Sequence, residues 1–241
     1  MGRGCGQRRR SRRAGHQGRS QCARIHSGSA GGRRVNELFD IYDEALNHIG
    51  VKPREQVHRD GDWHHVFHCW VIGRDPDGAA FIVLQKRALD RDYPSKIDIS
   101  AAGHLEAGES VCDGVREIEE ELGLRVAFED LLPLGIRIGA TKIGDFIDRQ
   151  FCHVYFYECD RALESYRYQD EEILGLVKLP IDEGIRLFSS EVSAVRVKAV
   201  GLGSDYIELT LADFIHSPDK YALKILILAR RYFAGETRLW I

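Results

Sequence analysis

Three glutamates, Glu117, Glu120 and Glu121, fall at i, i+3 and i+4 within GHLEAGESVCDGVREIEEELGL, residues 103–124. On a helix this spacing puts the carboxylates on one face within a turn of each other, where they repel. An ordinary Glu-Glu run is a solvated charged face. A hard divalent cation bound through oxygen reverses the sign of the interaction, and the neighbouring residues favour that use. Arg116 opens the cluster, and its planar guanidinium can brace a loop carboxylate, Glu106 or Glu109. Gly123 stops the helix between Leu122 and Leu124. Gly103 and Gly108 let the preceding loop fold back tightly over the glutamates.

Such a face needs a scaffold that holds the loop against it. From Glu37, ELFDIYDEALNHIG alternates and reads as a short strand with a turn after it. A polar loop bearing Arg54, His58 and Arg59 then leads into a strand over about residues 64–72, and residues 80–86 complete a hairpin. Residues 97–101 form a strand that feeds the glycine loop. Beyond the glutamates, residues 126–138 offer one or two strands and 149–158 another. The acidic pair Glu171 and Glu172 precedes a strand ending near Leu179, and residues 181–190 suit a short helix. Residues 194–200 and 206–211 alternate around GLGS, which predicts a hairpin insertion. Tyr221, Ile225, Leu228 and Tyr232 recur at helical spacing, so residues 218–234 are expected to pack as a helix across the sheet. Two strand-rich halves around an acidic helix, with a long helix late, fit an α/β protein: a three-layer α/β/α sandwich on a mixed sheet.

Five histidines, His58, His64, His65, His68 and His104, lie near the glycine loop in sequence. Alternation in the strand places His64 and His68 on one face and His65 on the other. Histidine with glutamate can hold a transition metal, although packing or substrate contact is the commoner role for strand histidines. Tyr93, Trp63, Phe67 and Trp70 are able to stack a base or an allylic tail, and core packing is the commoner role for strand aromatics.

The net charge of −3 hides an asymmetry: residues 1–34 hold ten arginines and no acid, which leaves −13 on the rest by difference. That Arg/Gly/Ser stretch has almost nothing to bury and is expected to be a disordered basic extension, with residues 35–241 as the domain. An acidic body is a poor binder of nucleic acid, and polyanionic substrates must reach it escorted by cations. No apolar run approaches a membrane span, and the first residues lack a secretory signal. The six cysteines show no paired spacing, so reduced thiols and a cytoplasmic protein are expected.

The run from Gly103 through Glu109, Arg116, Glu117, Ile118, Glu120, Glu121 and Gly123 to Leu124 resembles the Nudix box of the Nudix hydrolases. The spacer between Glu109 and Arg116 holds six residues, one fewer than the usual pattern. The resemblance implies the same sandwich and a Nudix-type pyrophosphohydrolase that uses Mg2+ or Mn2+ to cleave a phosphoanhydride bond. Its substrate would be a nucleoside diphosphate derivative or another small organic diphosphate. Glu117, Glu120 and Glu121 would hold the metal, helped by the backbone carbonyl near Ala102. Arg116 and Glu109 would brace the loop, and Glu117 or a late-loop acid, Glu171 or Glu172, would act on the water. Arg54, His58, Trp63, His65 and Trp70, with LQKRAL and YPSKIDISAAGH, further resemble the isopentenyl-diphosphate isomerase branch, which builds its metal site from histidines. That likeness nominates Arg54, His58, His65, Lys86, Arg87 and His104, together with Glu171 and Glu172, as substrate contacts. The isomerase's proton-donating cysteine corresponds to Ala102, and its acidic pair falls near Asp148 and Gln150. Cleavage is therefore expected, with an isomerase or a non-catalytic diphosphate-binding module as the alternatives. A homodimer is compatible with such folds, although no stretch points to a dimerising face.

Overall fold

This computed structural model describes residues 37–241 apart from Arg91 and Asp170, and the basic stretch 1–34 lies outside them. β1 (Leu38–Tyr42) and β2 (His48–Pro53) pair antiparallel, and α1 (Arg54–Asp60) follows. This segment is a helix where the sequence suggested a polar loop. Pro53 sets its entry, and Gly61, left-handed at φ 73°, ends it. Val57 and His58 are its buried residues, too few for a visible apolar period.

β3 (Trp63–Arg74) is the central strand. Trp70 and Ile72 face one core cluster while Phe67, Cys69 and Val71 face the other, as expected of a strand covered on both sides. β3 pairs antiparallel with β4 (Ala80–Arg87) only through Ile72, Gly73 and Arg74, after which the strands part. The single strand expected at residues 97–101 is two: β5 (Ile97–Asp98) on β4 and β6 (Ala101–His104) on β3. Ser100 joins the halves, its Oγ donating to the Val83 carbonyl and accepting from Val71 N.

α2 (Arg116–Leu122) carries the glutamates and buries Ile118 and Leu122 in one cluster. β7 (Leu132–Ile143) begins later than the pattern suggested and pairs antiparallel with β8 (Phe146–Glu158), which runs parallel to β3. β9 (Ile173–Pro180) joins β4 and is followed by α3 (Ile181–Phe188). β10 (Val195–Val200) and β11 (Tyr206–Leu209) form the expected hairpin. It is no insertion, since β10 extends the main sheet on β9 and buries Val195, Val197 and Ala199. α4 (Tyr221–Phe233) packs with α3 over the other cluster through Tyr221, Ile225 and Leu228.

The result is the three-layer α/β/α sandwich on a mixed sheet, ordered β11-β10-β9-β4-β3-β1-β2. Cys69, Cys112, Cys152 and Cys159 form no disulfide among the described residues. Among the described residues no helix is long and apolar enough to cross a membrane.

Candidate active site

Where β3 and β4 part, a cavity of about 420 Å3 opens, and its walls come from β3, β4, β6, β7 and α4. Four side chains from four places converge on one another beside it, His58 of α1, His64 of β3, His104 of β6 and Asp148 of β8, and all but His64 line it. Their ligand atoms all lie within 4.8 Å of one another. His58 Nδ1 donates to the Arg54 carbonyl at 2.9 Å, and His64 Nδ1 donates to the Asp62 carbonyl at 3.2 Å. A carbonyl accepts only from N–H, so in both rings Nδ1 carries a proton and Nε2 is the nitrogen left to meet a ligand. Both Nε2 atoms point toward Asp148 Oδ1, at 3.6 and 3.5 Å. These three atoms are buried without a hydrogen-bond partner among the described residues. Burial pushes His64 down to about 4, so the ring is neutral near pH 7. Gln150 donates from its side-chain amide to Asp148 Oδ2 at 2.9 Å and leaves Oδ1 facing the rings. Phe39 stacks on His104 at 4.8 Å and on His64 at 5.4 Å, so the cluster is walled by an apolar ring.

Buried polar atoms without partners are costly, and imidazoles anchored through Nδ1 with a carboxylate beside them are the donors a divalent metal takes. The residues present therefore fit a metal ion, with His58, His64, His104 and Asp148 as its holders.

The box helix lies beside this cluster. Arg116 grips Glu109 with two bonds, at 2.8 and 3.0 Å, and also donates to Glu117 Oε1 at 2.6 Å and to the His104 carbonyl at 3.1 Å. One guanidinium thus ties loop, helix and β6 together. The six-residue spacer contains a 3-10 turn at Asp113–Val115, which leads directly into α2. Glu121 Oε2 accepts from Ala102 N at 2.9 Å and Gln85 Nε2 at 3.1 Å. Burial first and the Glu117 charge second hold its carboxyl well above the usual range. Glu117 is buried, and Glu120 is about half exposed at 49%.

The family model described as NUDIX domain matches residues 49–193, more than half of the sequence. The chain belongs to the Nudix family. An uncharacterized Nudix hydrolase of Clostridium acetobutylicum is 38% identical over 197 residues, covering 80% of this chain and 95% of that protein. Nudix hydrolase 3 of Arabidopsis thaliana is 36% identical over 165 residues, 65% of this chain but 21% of that longer protein. An isopentenyl-diphosphate Delta-isomerase of Cutibacterium acnes is 30% identical over 143 residues, 54% of this chain and 67% of that one. Among solved structures, a Deinococcus radiodurans protein aligns with TM-score 0.46 and 19% identity, covering 64% of this chain and 90% of the other. The chain is a Nudix-type pyrophosphohydrolase, a class that hydrolyses pyrophosphate bonds and generally uses divalent metals.

This Nudix chain sorts its candidate residues sharply. Arg54, His58, Arg87, His104, Glu121 and Glu172 line the cavity, as does Ala102. Lys86 and Glu171 do not, and Glu171 is exposed. His65 lies off the cavity, with His153 2.8 Å from its Nδ1 and Tyr42 packed edge-on against it at 4.3 Å. The even/odd alternation of β3 sends His64 inward and His65 away. Among the aromatics, Tyr93 and Trp70 line the cavity, whereas Trp63 stacks on Phe151 and Phe67 on Tyr155. His64 and Asp148 are the site residues that the sequence ranked too low. The signals present were His64's strand face, shared with His68, and Asp148's place at the isomerase-like acidic pair.

Proposed function

We propose that this Nudix enzyme is a divalent-metal-dependent hydrolase that cleaves the phosphoanhydride bond of a small organic diphosphate or nucleoside diphosphate derivative. The convergence of His58, His64, His104 and Asp148 on one point, with two Nδ1 atoms already committed to backbone carbonyls, is the observation that carries the reading. A histidine-rich donor set suits a transition-metal dication such as Mn2+ better than Mg2+. When bound, the ion supplies Lewis-acid stabilisation of the charge that grows on the phosphate oxygens.

The chain's own groups do the rest. Arg54, held by Glu37 at 3.0 Å, and Arg87, held by Asp98 at 2.8 Å, present guanidinium groups at the cavity to orient anionic oxygens. Glu121 and Glu172 both line the cavity, and either would take a proton from the attacking water. For Glu121, burial raises the carboxyl's proton affinity, which strengthens it as a base once it is ionised. Arg116 and Glu109 position the box without lining the cavity.

The isomerase relatives favour one rival reading, in which isopentenyl diphosphate is isomerised. Against it, Ala102 offers no proton donor, and the Gln150 amide stands where a second carboxylate would be needed. Phosphate release from nucleoside diphosphates, dinucleotides and prenyl diphosphates, with Mn2+ or Mg2+, tests the proposal beside an isomerisation assay. Metal-dependent cleavage that His64→Ala abolishes is the expected result. Isomerisation without phosphate release would transfer the chain to the rival reading.

A further inference from the structure

Beyond the metal cluster the cavity continues down the same face of β3 to His68, four residues past His64 and so about 13 Å further along the strand. A diphosphate extending inward from the cluster brings only the group it carries to this depth. Trp70 Nε1 donates to the Tyr221 hydroxyl at 3.0 Å, and that hydroxyl lies 3.1 Å from His68 Nδ1. These are the hydroxyl's only hydrogen-bond partners among the described residues, and Tyr221 is buried. A buried hydroxyl that accepts from Trp70 still has its own proton to place. Among the described residues the one acceptor within hydrogen-bond reach is His68 Nδ1. The proton of the neutral ring is therefore on Nε2, at the opposite edge. Burial, reinforced by the neighbouring Arg137 charge, pushes His68 down to about 3 and keeps the ring neutral. Nε2 has no partner among the described residues, and His68, 6% exposed, lines the cavity.

A charged group beside the Tyr221 ring is already engaged. Arg137 lies over the Tyr221 ring at 4.3 Å and is held by Asp219 through two bonds, at 2.9 and 3.0 Å. The walls between are apolar: Trp70, Leu84, Leu179 and Leu226. An oriented N–H flanked by such apolar walls discriminates strongly. A ligand group that accepts from it satisfies it, and a plain hydrocarbon leaves a desolvated donor without a partner.

We propose that His68 is a specificity residue whose Nε2–H donates to an oxygen on the carbon skeleton of the bound diphosphate. The cavity then selects organic diphosphates whose carbon chain or ring bears a hydroxyl or carbonyl, over those with a plain hydrocarbon tail. The inference rests on the hydrolase reading for where the diphosphate lies, while the donor itself follows from the Trp70–Tyr221–His68 chain.

A matched pair of probes tests it: 3-methylbutyl diphosphate and 3-hydroxy-3-methylbutyl diphosphate, which differ by one hydroxyl. The wild-type protein is expected to favour the hydroxylated probe by about tenfold or more in kcat/KM. His68→Phe should bring the ratio close to one by weakening the hydroxylated probe alone, and His68→Gln, which keeps a donor, should restore part of it. Tyr221→Phe should erode the ratio severalfold through KM, because His68 then loses the bond that sets its tautomer. Equal wild-type preference, a preference for the hydrocarbon, or a His68→Phe effect shared by both probes would overturn the assignment. If neither probe is cleaved, calorimetric Kd values for the same pair with Mn2+ present read the contact directly. An unequal pair that His68→Phe equalises supports the donor even where the hydrolase reading fails, and equal affinities refute it.

Discussion

The carboxylate of Glu117 lies against Gly103, in space that a β-carbon at position 103 would occupy. Gly103 is itself paired with Phe67 of β3, so its backbone has little room to retreat. The glycine at the start of the box is thus a seat for a glutamate, and the pair sets the distance between helix and sheet.

Gly103→Ala must push Glu117 off its seat and away from Arg116. Overpacking of this kind costs about 1–3 kcal/mol. Thermal denaturation should show a clear loss of Tm together with reduced turnover. An unchanged melting curve would mean that Glu117 moves aside freely.

Arg116→Ala takes the guanidinium from three carboxylates at once, Glu109, Glu120 and the buried Glu117. Removing one partner of a buried ion pair costs about 3 kcal/mol or more. Urea denaturation should show that loss, and Arg116→Lys should recover only part of it, since an ammonium cannot hold Glu109 through two parallel bonds. Full recovery by lysine would reduce the contact to simple charge.

The three box glutamates are equivalent in spacing but not in placement. Glu121 lines the cavity and is buried, whereas Glu120 is 49% exposed and lies 3.4 Å from Arg116. Glu121→Gln should lower kcat about a hundredfold with the fold intact, and Glu120→Gln should cost much less. Equal losses in steady-state kinetics would restore the simple picture of one uniform carboxylate face.

His153 packs against His65, and burial first, then the His65 charge, holds it down to about 4. An unfolded histidine titrates near 6.5. The folded state therefore binds fewer protons across that window. This contribution to stability is complete above about pH 6.5 and declines as pH falls toward 4. Tm measured against pH should show that decline, and His153→Gln should make it shallower, the rest coming from His64 and His68. An identical slope in the variant would place the acid sensitivity elsewhere.

Much of the site helix was legible because its signals are local. Glu117, Glu120, Glu121 and the terminating Gly123 lie within seven residues, and helical spacing alone puts them together. Tyr221, Ile225 and Leu228 of α4 are read the same way, since amphipathic burial imposes its period on the sequence. α1 was not legible: a seven-residue helix with two buried residues is held by its contacts with β8, β1 and β2, and those contacts leave no period behind.

The sequence by itself determined the carboxylate helix, the alternation that separates His64 from His65, and membership of a sandwich built around the box. Only the tertiary structure decided that His58, His64, His104 and Asp148 meet, because the four come from α1, β3, β6 and β8 and no spacing along the chain encodes their convergence. It also decided which nitrogen of each ring is available. That depends on the carbonyls of Arg54 and Asp62 and on the hydroxyl of Tyr221, and a hydrogen bond exists only once folding has brought donor and acceptor within reach.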